Sequence, residues 1–237
     1  MPDSSEKKLE KLAEEVNVFF RQGAHDIQNL LNAVQLWLTT NSASDKEQTR
    51  QMLQELQDYY TNRIDGLRRS FQEFRSIRRR TLPVEAVDVS RTVRGVLDDW
   101  KERIDAEEGG EVDIEASLSS EVILLFSEVH IKNAVHALLD NAWRYRSDLR
   151  KLQVKVNVRS ISEGAEIAVQ DNGTGIDTDR FREQLFQPFV RCTSRSEGQG
   201  ISLHLIKVMA EQNGGSASLE SQPGIGTTVT LRLISQA

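Results

Sequence analysis

Apolar residues recur at steps of mostly three and four from Leu9 to Ile77, and beyond Pro83 that rhythm gives way to short alternating runs. The change of period limits the chain to a helical first part and a mixed second part. Leu9, Leu12, Val16, Phe19, Leu30, Val34 and Trp37 trace one helical stripe, and Leu53, Leu56, Tyr60, Ile64, Leu67, Phe71, Phe74 and Ile77 trace another. Between them the polar stretch 40–46 carries Asn41, Ser42 and Ser44, residue types that end one helix and start the next. The pattern predicts a helical hairpin over residues 1–83. Helices of about 35 residues are about 50 Å long, and two of them cannot bury both stripes against each other alone. A second copy would supply the missing surface, so the expected assembly is a homodimer whose hairpins form a four-helix bundle, most simply across a two-fold axis. Arg78, Arg79 and Arg80 suit the C-terminal end of the second helix, and Pro83 marks its exit.

From residue 84 to 237 the pattern predicts a second domain. Short strands are expected at 87–89 and 111–114, then at 152–158, 166–170, 216–220 and 227–233, with helices over 90–104, 129–145 and about 201–212. Strand runs with segregated helices predict an α+β two-layer sandwich.

Composition removes several classes of function. A net charge of -6 gives no basic footprint for nucleic acid or an anionic membrane. The single cysteine, Cys192, excludes an intrachain disulfide and a cysteine-cluster zinc site, and fits a reducing compartment. No apolar run reaches the length of a bilayer span, and the charged N-terminus has no signal-peptide core. The expectation is a cytoplasmic chain without direct membrane contact, or the soluble piece of a larger membrane protein.

Chemistry-bearing residues cluster in order along the chain. His25 and Asn29 are four apart on the first helix, hence on one face, with Asp26 beside them and His25 off the apolar stripe. An imidazole nitrogen is a competent nucleophile toward phosphorus when a neighbouring carboxylate orients its other proton, a role Asp26 can fill; the alternative is an ordinary exposed histidine on a solvated face. Asn141 lies on an otherwise apolar helix face and could hold a phosphate-bound Mg²⁺ ion, with Arg144 near phosphate and Tyr145 against a base. The alternating run 166–170 delivers Asp171 to the turn Asn172-Gly173-Thr174-Gly175, where glycines permit close backbone approach and the carboxylate can accept from an adenine amine. Arg191 and Arg195 stand in a polar segment ending in Gly198-Gln199-Gly200, which suits a phosphate-facing lid leading into a helix N-terminus. Gly224-Ile225-Gly226-Thr227 joins two strands and on its own could be only a hairpin turn. His130, His136 and His204 lack metal-ligand spacing and read as structural or surface residues, and Cys192 beside Arg191 reads as a plain thiol unless its pKa is lowered.

Taken in this order, the motifs from about Gly23 to Leu233 resemble the sensor histidine kinases of two-component signalling. The resemblance implies a dimerisation and histidine phosphotransfer domain followed by a Bergerat-fold ATPase domain. It implies that His25 takes the terminal phosphoryl group of ATP, that Asp26 is its acid/base partner, and that Asn29 positions water when a response regulator receiver domain is dephosphorylated. It further implies Asn141 on Mg²⁺, Asp171 on the adenine amine with Gly173 and Gly175 in the adjoining turn, Phe189 as lid anchor, Gly198 and Gly200 in the phosphate loop, and Gly224, Gly226 and Thr227 as the last glycine box. Two positions depart from the family pattern: Ala137, where kinases commonly show asparagine, and Ser202, in place of a third loop glycine. Two other readings stay open: an ATP-independent phosphotransfer scaffold with a degenerate ATPase domain, and a Bergerat-type ATP-binding regulator in which His25 is incidental.

Overall fold

The computed structural model describes residue 32 and residues 83–106, 111–188, 190, 192 and 200–236. The chain divides into two compact units, Met1–Gln72 and Glu73–Ala237, and all described residues except the helical, exposed Asn32 belong to the second. The hairpin expected over 1–83, with His25, Asp26 and Asn29, therefore lies outside the described residues apart from Asn32 and Pro83.

The described elements of the second unit begin with strand β1 (Glu85–Asp88), which runs directly into helix α1 (Val89–Asp105). Asp88 makes the junction: its carboxylate accepts from the backbone N–H of Arg91 at 3.1 Å, capping one of the free donors of the first turn. Strands β2 (Val112–Leu118) and β3 (Ile123–Phe126) follow, then helix α2 (Glu128–Arg144), strands β4 (Leu152–Ile161) and β5 (Gly164–Asp171), a single-turn helix α3 (Thr178–Phe181), helix α4 (Ser202–Gln212), and strands β6 (Ser216–Gln222) and β7 (Gly226–Ile234).

Five strands form one sheet in the order β2-β4-β5-β7-β6, parallel between β2 and β4 and antiparallel elsewhere, while β1 and β3 pair as a separate antiparallel ribbon. Alternation decides which face is covered. Along β4, Leu152, Val154, Val156 and Val158 are buried while Gln153, Lys155, Asn157 and Arg159 are exposed. The buried face carries the helices. From α1 come Val89, Val93, Val96, Leu97, Trp100 and Ile104, at helical steps; from α2 come Ile131, Ala134, Val135, Leu138 and Leu139; from α4 come Leu205, Ile206, Met209 and Ala210. Each fully buried side chain of this size contributes about 1.5–3 kcal/mol through apolar area removed from water. Trp100 is 1 % exposed, and its indole Nε1–H donates to Asp140 of α2 at 2.9 Å, so the large ring is buried without an orphaned donor.

The other face is held by charges placed opposite one another in the register. Lys155 faces Glu115 across β4 and β2, with Nζ and carboxylate 2.7 Å apart. Glu166 stands between Arg159 and Arg232, its direct partners on β4 and β7, at 2.6 and 2.9 Å. This open face fits the two-layer sandwich read from the sequence. No described helix is long and apolar enough to cross a membrane.

Among the described residues, Ser127 Oγ and the His130 ring are buried without a hydrogen-bond partner. His130 is 9 % exposed, its ring edge meets Phe126 at a centroid distance of 6.2 Å, and neither ring nitrogen has a hydrogen-bond partner. Burial pushes its pKa below the ordinary 6.5, because the imidazolium would be stranded in apolar surroundings. The unfolded chain therefore binds the proton more tightly than the folded one, and stability is lost as pH falls through 6.5. Melting temperatures measured between pH 7.5 and pH 5 should fall in the wild type, and His130→Leu should flatten the decline; an unchanged slope in the variant would assign the acid sensitivity elsewhere.

Candidate active site: a cleft at the end of β5

The cleft lies where α2 ends over the sheet. Its floor is made by Val169 of β5, Val229 of β7 and Leu219 of β6, and its sides by Leu138, Ile176, Leu185 and Leu203. The empty space is about 900 Å³ including the open mouth. Into this apolar slot project few polar groups: Asn141 and Arg144 from the last turns of α2, Tyr145 at its C-cap, Asp171, Thr174, Ser202 and Thr227. Such a lining suits a planar apolar ring system with one polar edge, leading to a polar end.

Asp171 is the last residue of β5 and pairs with Thr227 at the start of β7. Its carboxylate accepts from the backbone N–H of Gly173 at 2.7 Å and from that of Thr227. Burial raises its pKa above the usual carboxylate value; the two backbone donors and the positive charge of Arg150 oppose that rise without cancelling it. Two glycines are required by this packing. A Cβ on Gly226, where φ is +145°, would sit 2.0 Å from the Asp171 carbonyl oxygen, and one on Gly173 would sit 2.5 Å from the Tyr145 carbonyl oxygen and 2.8 Å from Asp171 Oδ1. A side chain at either place would push the carboxylate out of position.

The loops around Asp171 are tied by their own backbones. Thr174 donates to the Tyr145 carbonyl through both its N–H, at 2.9 Å, and its hydroxyl, at 3.2 Å, and its carbonyl accepts from Gly224 N–H at 2.8 Å. Ser221 Oγ accepts from Ile176 N–H and donates to the Gly226 carbonyl, both at 2.8 Å, while Thr227 Oγ1 lies 2.8 Å away. Asn172 closes against the start of β4, its side chain bonded to Lys151 O at 3.0 Å and Gln153 N at 2.9 Å.

Of the residues singled out in the sequence, Asn141, Arg144, Tyr145, Asp171, Gly175, Gly200 and Thr227 line this one cleft. Gly173, Gly224 and Gly226 shape its wall from behind. Phe189, Arg191, Arg195 and Gly198 lie outside the described residues. Cys192 lines the cleft, and burial pushes its thiol pKa up, so the lowered pKa considered from the neighbouring Arg191 does not apply. Ala137 packs against the core, which leaves Asn141 as the side-chain oxygen donor that α2 turns to the cleft. Among the described residues no three His, Cys, Asp or Glu side chains gather as a metal site. Asn141 could hold a divalent cation together with oxygens of a bound phosphate ligand, a shell normal for Mg²⁺. Sequence reasoning missed Arg150 and Ser221, because a side chain that serves main-chain carbonyls leaves no spacing pattern behind.

Residues 126–236 match the family described as histidine kinase-, DNA gyrase B-, and HSP90-like ATPase. The methanogenesis regulatory histidine kinase FilI of Methanothrix harundinacea (strain 6Ac) is 33% identical over 105 residues, 44% of this chain and 12% of that protein. The sensor protein RprX of Bacteroides fragilis (strain YCH46) is 23% identical over 235 residues, 94% of this chain and 44% of that protein. Among solved structures, the mycobacterial sensor histidine kinase MprB superposes with a TM-score of 0.52 at 25% identity, over 64% of this chain and 99% of that one. The chain thus spans less than half the length of these two curated relatives.

The raised carboxyl of Asp171 makes a prediction whose sign is opposite to that of His130. Because the folded state holds this proton more tightly, the contribution to stability is present below the ordinary value of 3.8 and is lost as pH rises through the folded value. Asp171→Asn should remove that descent in pH-dependent melting and should weaken ATP binding about 10–100-fold, the cost of a lost hydrogen bond to a charged group. Retention of wild-type ATP affinity in the variant, measured by calorimetry, would show that the carboxylate is not the base-recognition group.

Proposed function

We propose that this chain, whose residues 126–236 match the histidine kinase-, DNA gyrase B-, and HSP90-like ATPase family, is a homodimeric histidine autokinase that phosphorylates His25 from ATP and passes the phosphoryl group to an aspartate of a response regulator. The observation that carries this reading is the convergence of Asn141, Arg144, Tyr145 and Asp171 on one cleft with an apolar floor. The names of the relatives, a regulatory histidine kinase and a sensor protein, support the same reaction class.

In this reading Asp171 accepts from the exocyclic amine of the adenine, while Val169, Val229 and Leu219 bury its ring. Arg144 and the residues around Gly200 and Ser202 face the phosphates, with Arg191, Arg195 and Gly198 as further phosphate contacts. Asn141 would hold Mg²⁺, which when bound neutralises phosphate charge. A ring nitrogen of His25 forms the new bond to the terminal phosphorus, ADP leaves with the electron pair of the broken bond, and Asp26 orients the imidazole and takes its proton. Catalysis of this kind is mostly positioning and charge neutralisation. Asn29, four residues after His25 in the sequence, would orient water for dephosphorylating the regulator. The proposed boundary at residue 83 would separate a dimerisation and phosphotransfer part from a nucleotide-binding part, while the compact units divide between Gln72 and Glu73.

The test is incubation with Mg²⁺ and ATP labelled at the terminal phosphate. Acid-labile label should appear on the wild type and vanish in both His25→Ala and Asn141→Ala, while His25→Ala keeps ATP affinity by calorimetry. Label persisting in His25→Ala would end the assignment of the nucleophile, and ATP binding without label in the wild type would favour the regulator reading, in which His25 is incidental.

A further inference from the structure

Arg150 stands in the loop between α2 and β4 and donates to four main-chain carbonyls. Its Nε reaches Asn172 O at 2.7 Å; its Nη2 reaches Gly173 O at 2.8 Å, Gly224 O at 2.7 Å and Ile225 O at 3.2 Å, two N–H groups shared among three acceptors. Two of these carbonyls belong to the turn that follows Asp171, and two belong to the turn that precedes Gly226 and Thr227. One guanidinium therefore clamps both turns that flank the carboxylate, a geometry its planar fork permits and a point-charge ammonium does not.

The bonding pattern is more specific than a staple. The peptide unit joining Asn172 to Gly173 gives its carbonyl to Arg150 and its N–H to Asp171 Oδ1. The unit joining Gly226 to Thr227 is arranged alike: its carbonyl accepts from Ser221 Oγ, and its N–H donates to Asp171. Each donor on the carboxylate is thus backed by a second donor on the far side of the same peptide. Hydrogen bonds in series polarise one another, so charge at Arg150 strengthens the N–H that fixes Asp171.

We propose that Arg150 is a positioning residue for base recognition: it acts through the Asn172–Gly173 peptide to hold the Asp171 carboxylate where the amine of adenine meets it. The inference rests on the nucleotide reading above and deepens it. It makes Arg150 a determinant of the preference for a 6-aminopurine over a purine without that amine, although Arg150 does not line the cleft.

Calorimetry with ATP and with purine riboside triphosphate, which lacks the 6-amino group, separates the possibilities. The wild type should prefer ATP by about tenfold, the value of one hydrogen bond to a charged group. Arg150→Ala should lose most of that preference by weakening ATP alone, with affinity for the amine-free analogue unchanged. Arg150→Lys, which keeps the charge but not the fork, should recover only part of it, and the same ratio read on that variant serves if Arg150→Ala does not fold. A preference left at the wild-type ratio in both variants, or ATP and analogue weakened by the same factor, would overturn the role and leave Arg150 as a surface staple. Absence of ATP binding in the wild type would overturn the nucleotide reading itself, and this inference with it.

Discussion

The antiparallel pairing of β5 with β7 is the constraint on which the site depends. It sets Asp171 opposite Thr227, and it is held in register by Ile167 against Leu231 and Val169 against Val229, all buried. A slip of one residue would turn those four side chains away from the helices and swing the carboxylate to the open face. Core packing and site geometry are therefore one requirement. Glu166 adds to it from the other side of the sheet, since its two arginine partners sit directly opposite it on both neighbouring strands.

The same economy explains why the cleft is built at the edge of the core rather than on a separate loop. Leu138 belongs both to the core and to the cleft lining, and Val169 and Val229 do the same from the sheet. Asn141 follows Leu138 by three residues on α2 and so shares its side of the helix, where it meets the cleft instead of the core. The side chains that bury the floor are fixed by the packing of α2 on the sheet, and the polar groups inherit that rigidity. A site supported in this way is largely formed before any ligand arrives.

Period-two alternation was enough to place β4 to β7 within a few residues, and helical steps were enough for α1, α2 and α4. The glycine turns after Asp171 and before Thr227 were legible because close backbone approach demands a residue type. Strand β3 was not, since Ile123-Leu124-Leu125-Phe126 is apolar throughout and shows no period; its alternation of exposed and buried positions exists only in the folded chain. Helix α3 is a single turn, too short to repeat any spacing. His130 was left as structural or surface, and nothing local signals that it is buried without a partner, because burial there comes from Phe126 and the layer packed around it. Arg150 was the costliest omission: its partners are carbonyls 22 to 75 residues away, and carbonyls are the same at every position.

That omission bears on how the carboxylate at the cleft is kept usable. Burial disfavours the charged form of Asp171, and in the proposed reading a protonated carboxyl would present a donor where an adenine amine needs an acceptor. Direct ion pairing with an arginine inside the cleft would restore the charge but occupy the oxygens. The observed arrangement opposes the first and sidesteps the second by placing Arg150 and Ser221 behind the peptides whose N–H groups contact the carboxylate. Their donors reach the site as polarised backbone dipoles, leaving room on the carboxylate for a ligand. Support one peptide removed adds to the Coulombic effect of Arg150 and leaves the carboxylate oxygens available.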